Sequence, residues 1–214
     1  MSETRIILIR HGQSIGNFTR HFLGHTDLDL TETGYEQARI TADYLKNEKI
    51  DVVYSSDLIR AVNTVTPIAK MRGLEIIKSR NLREIFAGDW ENTHIQKLCD
   101  EFSKDYDVWK NNIGYAVCTN GESFIELQKR VLSEVTKIAE ENLGKTVCIG
   151  THATPIRALS AAWSGKSKDT VKDIPWATNA SITRAVYSNG KFELLSYGED
   201  EFLAEAKTVM FKNI

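Results

Sequence analysis

The sequence predicts an α/β fold, namely a three-layer α/β/α domain with a mostly parallel central sheet and an antiparallel edge strand. Short apolar runs alternate with segments whose apolar residues recur at helical spacing, a pattern typical of parallel sheets. Near the C-terminus, Asn189-Gly190 separates the strand-like segments 181–187 and 191–197, which indicates a β-hairpin. We expect one domain over residues 1–214, with a helical or irregular insertion around 92–120.

The parallel strands and their helices follow from the apolar runs in chain order. Each short, mainly apolar segment of four or five residues is too short for a helix and predicts a strand. The strands are expected at 6–9, 51–54, 74–78 and 146–149. The helices are expected at 33–47, 57–71, 122–142 and 154–163.

Composition and charge exclude several classes of function. The chain has 42% hydrophobic and 26% charged residues and a formal net charge of −2, so no overall positive field attracts nucleic acid or a membrane surface. The apolar run at 6–9 is too short for a signal peptide or a membrane span, which makes the cytoplasm the expected location. Cys99, Cys118 and Cys148 are widely separated and suggest neither a disulfide framework nor a zinc site. The oligomeric state is not readable from the sequence.

Basic residues follow three of the predicted strands. Arg10 and His11 come directly after the first strand, Arg60 lies one turn into the helix that follows the second, and His152 follows the strand at 146–149. Because the carboxyl ends of parallel strands line one edge of a sheet, these four side chains should meet if the strands are neighbours. Two guanidinium groups and two imidazoles suit a phosphate dianion.

A helix that begins near Thr154 would strengthen this anion site. Pro155 fits the first helical turn, where a missing N–H costs little. The free N–H groups at that end of the helix, together with the helix dipole, would attract the anion. These features do not identify the reaction, since a sulfate-binding or phosphosugar-binding module would share them.

At these residues the sequence resembles the histidine phosphatase superfamily, the phosphoglycerate-mutase-like enzymes. The resemblance covers nearly the whole chain and consists of ordered motifs. The matching segments are RHG at 10–12, GHTDLDLT at 24–31, SSDLIRA at 55–61, LREIFAGDWE at 82–91, GES at 121–123 and GTH at 150–152.

The resemblance implies catalytic roles for five residues. His11 would attack phosphorus and become a phosphohistidine. Glu84 would protonate the leaving oxygen and then activate the water that hydrolyses the phosphoenzyme. Arg10, Arg60 and His152 would hold the phosphoryl oxygens and stabilise the transition state, and no metal or cofactor is required.

Further substrate contacts are implied beside the phosphoryl group. Asn17 would donate another hydrogen bond to it, and Gln13, Thr151 and Ala153 are also expected to contact the substrate. The family often has S-H-G-G where this chain has T-H-A-T at 151–154, which changes the side chains beside the phosphate but keeps the backbone donors.

Two alternatives concern other carboxylates near Glu84 and a possible metal site at a pair of histidines. Asp89 and Glu91 are carboxylates close to Glu84 in the sequence. His21 and His25 are four residues apart, but Gly24 interrupts a helix there and no further ligand has suitable spacing, so no metal site is expected.

The expected function is hydrolysis of a small phosphomonoester through a phosphohistidine intermediate. Phosphoglycerate mutase activity is the alternative, although a mutase needs a second anion-binding patch, and residues 85–90 after Glu84 are apolar and acidic. A catalytically idle module that binds phosphorylated ligands is a second alternative. The leaving group would be recognised by residues 18–23 and by the 92–120 insertion, which covers the site and carries the aromatic residues Phe102, Tyr106, Trp109 and Tyr115.

Overall fold

The computed structural model describes residues 3–208. Its strands are β1 (Thr4–Arg10), β2 (His21–Phe22), β3 (Val52–Ser56), β4 (Ile76–Ser79), β5 (Thr93–His94), β6 (Thr146–Thr151), β7 (Ile182–Ser188) and β8 (Lys191–Glu199). Its α-helices are α1 (Ile15–Phe18), α2 (Glu32–Tyr44), α3 (Ile59–Arg72), α4 (Ile95–Glu101), α5 (Ser103–Asn111), α6 (Phe124–Glu141) and α7 (Ala153–Trp163). No helix within residues 3–208 has the length and apolar character needed to cross a membrane.

Six strands form the main sheet in the order β4-β3-β6-β1-β7-β8. The first four of these are mutually parallel, whereas β7 runs antiparallel to β1, and β8 runs antiparallel to β7. The predicted α/β class, with a mostly parallel sheet and antiparallel pairing at one edge, is therefore confirmed. A separate two-stranded ribbon joins β2 to β5.

Alternate side chains of β1 point into two hydrophobic cores on opposite faces of the sheet. Ile6 and Leu8 belong to the core that contains residues of α6 and α7, whereas Ile7 and Ile9 belong to the core that contains residues of α2 and α3. Apolar residues buried on both faces make the central strands read as continuous hydrophobic runs, and helices cover each face. This gives the three layers.

Local sequence signals explain where several elements begin and end. Ser123 and Glu126 form a reciprocal capping box at the start of α6. Asn189 and Gly190 have φ of 52° and 78°, as a two-residue hairpin turn between β7 and β8 requires. The strand expected at 74–78 begins at Ile76, because Gly73 ends α3 with φ 64° and Leu74 still donates to that helix.

Candidate active site

The carboxyl ends of β3, β6 and β1 lie side by side and open onto a cavity of about 100 Å³. Arg10 and Thr151 are register partners at the ends of β1 and β6, which fixes the spacing of the loops that follow. The polar side of the cavity is lined by Arg10, His11, Ser14, Asn17, Arg60 and Glu84 and by the first residues of α7. The topology therefore brings residues distant in sequence to one edge of the sheet.

His11 is held in one orientation and one tautomer. Its ring Nδ1 lies 2.7 Å from the carbonyl oxygen of Gly12. Because a carbonyl oxygen only accepts, Nδ1 carries the proton and donates it, which leaves a lone pair on Nε2. Gly12 itself allows a close backbone approach, since a Cβ there would lie 2.5 Å from the carbonyl oxygen of Gly34.

The surroundings of His11 favour the neutral imidazole. The side chain is buried, and burial holds its pKa well below the usual value of 6.5, reinforced by the charges of Arg60 and Arg10. Both arginines are buried too, and burial lowers the pKa of each to about 10, so both remain cations near neutral pH. The site combines an uncharged nucleophilic nitrogen with two fixed positive charges.

Backbone carbonyls anchor the two guanidinium groups. Arg60 donates from Nη1 to the carbonyl of Thr26 at 2.7 Å and from Nη2 to that of Gly24 at 2.8 Å. Its Nε is buried and has no hydrogen-bond partner among residues 3–208. Arg10 donates from Nη1 to the carbonyl of Ala177. Both side chains are thus fixed while they line the cavity.

His152 stands beside His11, with the ring centroids 5.2 Å apart in an edge-to-face arrangement. Its Nε2 is 2.8 Å from Oγ of Ser56 at the end of β3. Its Nδ1 is buried and lacks a protein partner within the described chain. Burial, followed by the charge of Arg60, holds the pKa of His152 well below 6.5.

Glu84 meets the N-terminus of α7. One carboxylate oxygen accepts from the amide of Ile85 at 2.8 Å, and the other accepts from the amide of Thr154 at 3.3 Å. The carbonyl of Glu84 accepts from Arg130 Nη2 at 3.1 Å and from His25 Nε2 at 3.0 Å. These contacts fix both the backbone and the carboxylate at the cavity wall.

The two competing carboxylates lie elsewhere. Asp89 accepts from the amide of Asn120 at an exposed position. Glu91 accepts four hydrogen bonds, from the backbone amides of His25, Thr26 and Ala87 and from the Thr26 hydroxyl, at 2.7 to 3.0 Å. Of these three carboxylates, Glu84 alone lines the cavity.

The remaining expected substrate contacts divide into two groups. Asn17 and Ala153 line the cavity. Gln13 and Thr151 do not: the Gln13 Oε1 accepts from the Thr31 hydroxyl at 2.8 Å, and the Thr151 hydroxyl donates to the carbonyl of Leu82 at 2.7 Å. Their side chains brace the loops around the cavity.

Sequence reasoning missed several residues that organise this site. Asn179 donates from Nδ2 to the carbonyl of His11 and to Oδ1 of Asn17, both at 3.0 Å. That contact and the Ser14 amide occupy the Asn17 oxygen. Asn179 belongs to the segment 164–181, which carries no strand or helix periodicity, and Ser14 is recognisable only as a possible helix cap.

Comparison with known proteins agrees with this geometry. The profile of the histidine phosphatase superfamily (branch 1) matches residues 6–200. The chain belongs to the histidine phosphatase superfamily. It is 31% identical over 161 residues to phosphoserine phosphatase 1 of Hydrogenobacter thermophilus, covering 75% of this chain and 76% of that protein.

Two further members of the superfamily cover nearly the whole chain. Phosphoglycerate mutase-like protein 4 of Arabidopsis thaliana is 29% identical over 204 residues, which are 94% of this chain and 87% of that protein. The solved structure of YhfR from Bacillus stearothermophilus superposes with a TM-score of 0.90 at 28% identity, over 94% of this chain and 99% of that one. The superfamily thus contains both phosphatases and mutase-like proteins.

Proposed function

We propose that this protein is a phosphomonoester hydrolase that transfers the phosphoryl group of a small metabolite to Nε2 of His11. The observation that carries the proposal is the hydrogen bond from His11 Nδ1 to the Gly12 carbonyl, which exposes the Nε2 lone pair beside two buried guanidinium groups. A neutral imidazole is a nucleophile, whereas an imidazolium is not.

The cavity offers a preformed set of donors for a phosphoryl group. Arg10 and Arg60 supply charge-assisted donors, and the N-terminus of α7 adds the amide of Ala153 with the positive end of its dipole. The side-chain amide nitrogen of Asn17 is another candidate in the cavity wall. His152 does not line the cavity, but its unpartnered Nδ1 is buried beside His11 and is a candidate donor to a group bound there. Such preorganised charge is the main requirement of phosphoryl transfer.

The reaction proceeds in two displacements. In the first, the Nε2–P bond forms as the ester P–O bond breaks, and protonated Glu84 gives its proton to the departing alcohol oxygen. In the second, Glu84 takes a proton from water as the water oxygen bonds to phosphorus and the P–N bond breaks. Inorganic phosphate and the free alcohol are the products, and neither His11 nor Glu84 is consumed.

The rest of the chain is assigned in keeping with this chemistry. Residues 1–214 form a single catalytic domain in this proposal, and the 92–120 insertion covers the site, since Ile95 and Trp109 line the cavity. The reaction needs no metal in this proposal, because Arg10, Arg60 and the N-terminus of α7 neutralise the phosphoryl charge. The free thiols of Cys99, Cys118 and Cys148 fit a reducing compartment, so we place the enzyme in the cytoplasm.

Hydrolysis of 4-nitrophenyl phosphate in the presence of a chelator tests the proposal. The wild type should turn over, and rapid alkaline quenching followed by mass spectrometry should find phosphate on the His11 peptide. His11→Ala should abolish both signals, because the neighbouring neutral imidazole, that of His152, has its Nε2 engaged with Ser56. His94→Asn is the matched control, since it alters an exposed histidine but keeps an acceptor at the N-cap of α4.

Three results would contradict the proposal. Bound phosphate without turnover in the wild type would favour the idle binding module. Isomerisation of 3-phosphoglycerate faster than its hydrolysis would favour the mutase. Full activity in His11→Ala would show that His11 is not the nucleophile.

A further inference from the structure

Beyond the phosphate-binding end, the walls of the cavity are aromatic and apolar. Phe22, Leu23, Ile95, Trp109 and Trp176 line this outer part. They come from the β2–β5 ribbon, from the insertion helices and from the irregular segment before β7. A leaving group attached to phosphorus at His11 would share the cavity with these side chains.

The aromatic rings are held rigidly. Trp109 and Trp176 are nearly parallel, with centroids 5.9 Å apart, and Phe22 meets Trp109 edge-on at 5.1 Å. The guanidinium carbon of Arg157 lies 4.3 Å from the ring centroid of Trp176. Arg157 is itself buried and donates a hydrogen bond to the carbonyl of Lys172. This cation–π contact and the ring contacts fix the wall before a ligand arrives.

Charged groups near the rim fit an acidic leaving group poorly. Apart from Arg10, His11 and Arg60, which are assigned to the phosphoryl group, the basic side chains that line the cavity within residues 3–208 are Arg20 and His21. Arg20 is exposed, where an ion pair with a substrate carboxylate contributes only about 0–1 kcal/mol. His21 directs Nδ1 to the carbonyl and hydroxyl of Thr19, both at 2.9 Å.

We propose that the preferred substrates are phosphomonoesters whose leaving alcohol carries an aromatic or other flat apolar ring, seated against Trp176, Trp109 and Phe22. This inference rests on the proposed hydrolase function and adds its substrate class. Small hydroxy-acid phosphates such as 3-phosphoglycerate and O-phosphoserine are poor substrates on this account, because their carboxylates would be desolvated against indole rings. Among residues 3–208, the buried cations that line the cavity are Arg10 and Arg60, which hold the phosphoryl group instead.

A matched substrate panel tests this class. The comparison uses 2-phenylethyl phosphate, ethyl phosphate, O-phosphoserine and 3-phosphoglycerate, which are all alkyl esters, so that differences in leaving-group chemistry stay small. We expect kcat/KM for 2-phenylethyl phosphate to exceed that for ethyl phosphate by about tenfold to a hundredfold, the gain from burying one phenyl ring. The two acids should fall at or below ethyl phosphate.

Two variants locate the effect at the rim. Trp176→Leu should reduce the phenylethyl-to-ethyl ratio of kcat/KM at least fivefold. The matched control is Trp163→Leu, since Trp163 also stacks on an aromatic ring, that of Phe192 at 4.8 Å, but does not line the cavity. Ile95→Lys, which adds a cation at the rim, should raise activity on 3-phosphoglycerate relative to 2-phenylethyl phosphate.

The outcomes separate the two proposals. If no ester in the panel and no 4-nitrophenyl phosphate is hydrolysed, the hydrolase function fails. If all esters are hydrolysed at similar kcat/KM, or if an acid is preferred, the function stands and the aromatic class is overturned. The aromatic class is also overturned if two ratios of kcat/KM stay unchanged in variants whose folding is verified by circular dichroism. These are the phenylethyl-to-ethyl ratio in Trp176→Leu and the ratio of 3-phosphoglycerate to 2-phenylethyl phosphate in Ile95→Lys.

Discussion

At the scale of single side chains, the position of Glu84 distinguishes it from its neighbours. Its two oxygens accept from the amides of Ile85 and Thr154, and Arg130 fixes its carbonyl. The carboxylate therefore reaches the cavity from the side of α7, where a departing alcohol oxygen can receive a proton. In the proposed reaction the same carboxyl group acts as acid in one step and as base in the next.

Replacing Glu84 should separate these two steps. In Glu84→Gln we expect kcat for alkyl phosphates to fall by about a hundredfold to ten-thousandfold, the usual contribution of a general acid or base. With 4-nitrophenyl phosphate, whose leaving group needs no proton, one equivalent of nitrophenolate should appear rapidly and be followed by slow turnover. Stopped-flow absorbance measures this burst, and phosphohistidine should accumulate during the slow phase.

Asp89→Asn provides the control for that experiment. Asp89 is exposed and bonded to Asn120, so its loss should leave both phases within about twofold of the wild type, as surface substitutions usually do. A burst in Asp89→Asn and none in Glu84→Gln would transfer the role of proton donor to Asp89.

At the scale of elements, the loop at 24–27 connects Glu91 to Arg60 at the start of α3. Glu91 accepts from the amides of His25 and Thr26, and the carbonyls of Gly24 and Thr26 in turn accept from Arg60. Gly24 has φ 52°, and a Cβ there would lie 2.2 Å from a Glu91 oxygen. The loop is thus shaped around the carboxylate of Glu91, and its carbonyls position the guanidinium of Arg60.

Glu91→Gln should loosen this arrangement. An amide nitrogen cannot accept, so some of the four donors, three of them in the loop and one the amide of Ala87, lose their partner, at a cost of about 2 kcal/mol. Because the carbonyls that hold Arg60 are then no longer fixed, we expect the dissociation constant of inorganic phosphate to rise about tenfold, the equivalent of about 1.4 kcal/mol. Isothermal titration of phosphate measures it independently of turnover.

A matched change distinguishes positioning from general destabilisation. Glu193→Gln alters an exposed glutamate on β8 and should change neither phosphate affinity nor the free energy of unfolding. If Glu91→Gln lowered stability but bound phosphate as the wild type does, the link from Glu91 through the loop to Arg60 would be wrong.

The elements also show how far the sequence could lead. Apolar periodicity predicted the strands at whose ends His11, Arg60 and His152 stand, because in a parallel sheet strand ends converge whatever the loops do. It could not predict Trp176, which lines the cavity, or Asn179, which holds His11 and Asn17, because both belong to a segment without periodicity. Nor could it place Gln13, since the contact of its side chain with Thr31 depends on how two loops meet in space.

At the scale of the whole molecule, burial of the charged and titratable groups of the proposed active site lowers the stability of the fold. Arg10 and Arg60 are buried, and within residues 3–208 Glu84 is the carboxylate that lines the cavity with them. Keeping His11 and His152 neutral avoids adding more positive charge to that region. The fold therefore carries two imidazoles that bind protons less readily than they do in the unfolded chain, and so stability depends on pH.

This dependence has a definite sign and window. The folded-state pKa values of His11 and His152 lie well below 6.5, so as pH falls below about 6.5 the unfolded chain takes up protons that the folded one does not. The free energy of unfolding should fall by up to about 1.4 kcal/mol per pH unit for each histidine. Urea unfolding between pH 7 and 5 in phosphate-free buffer measures it. In His11→Asn the slope of the free energy of unfolding against pH should decrease by the contribution of about one proton. An unchanged slope would contradict the neutral, buried imidazole of His11.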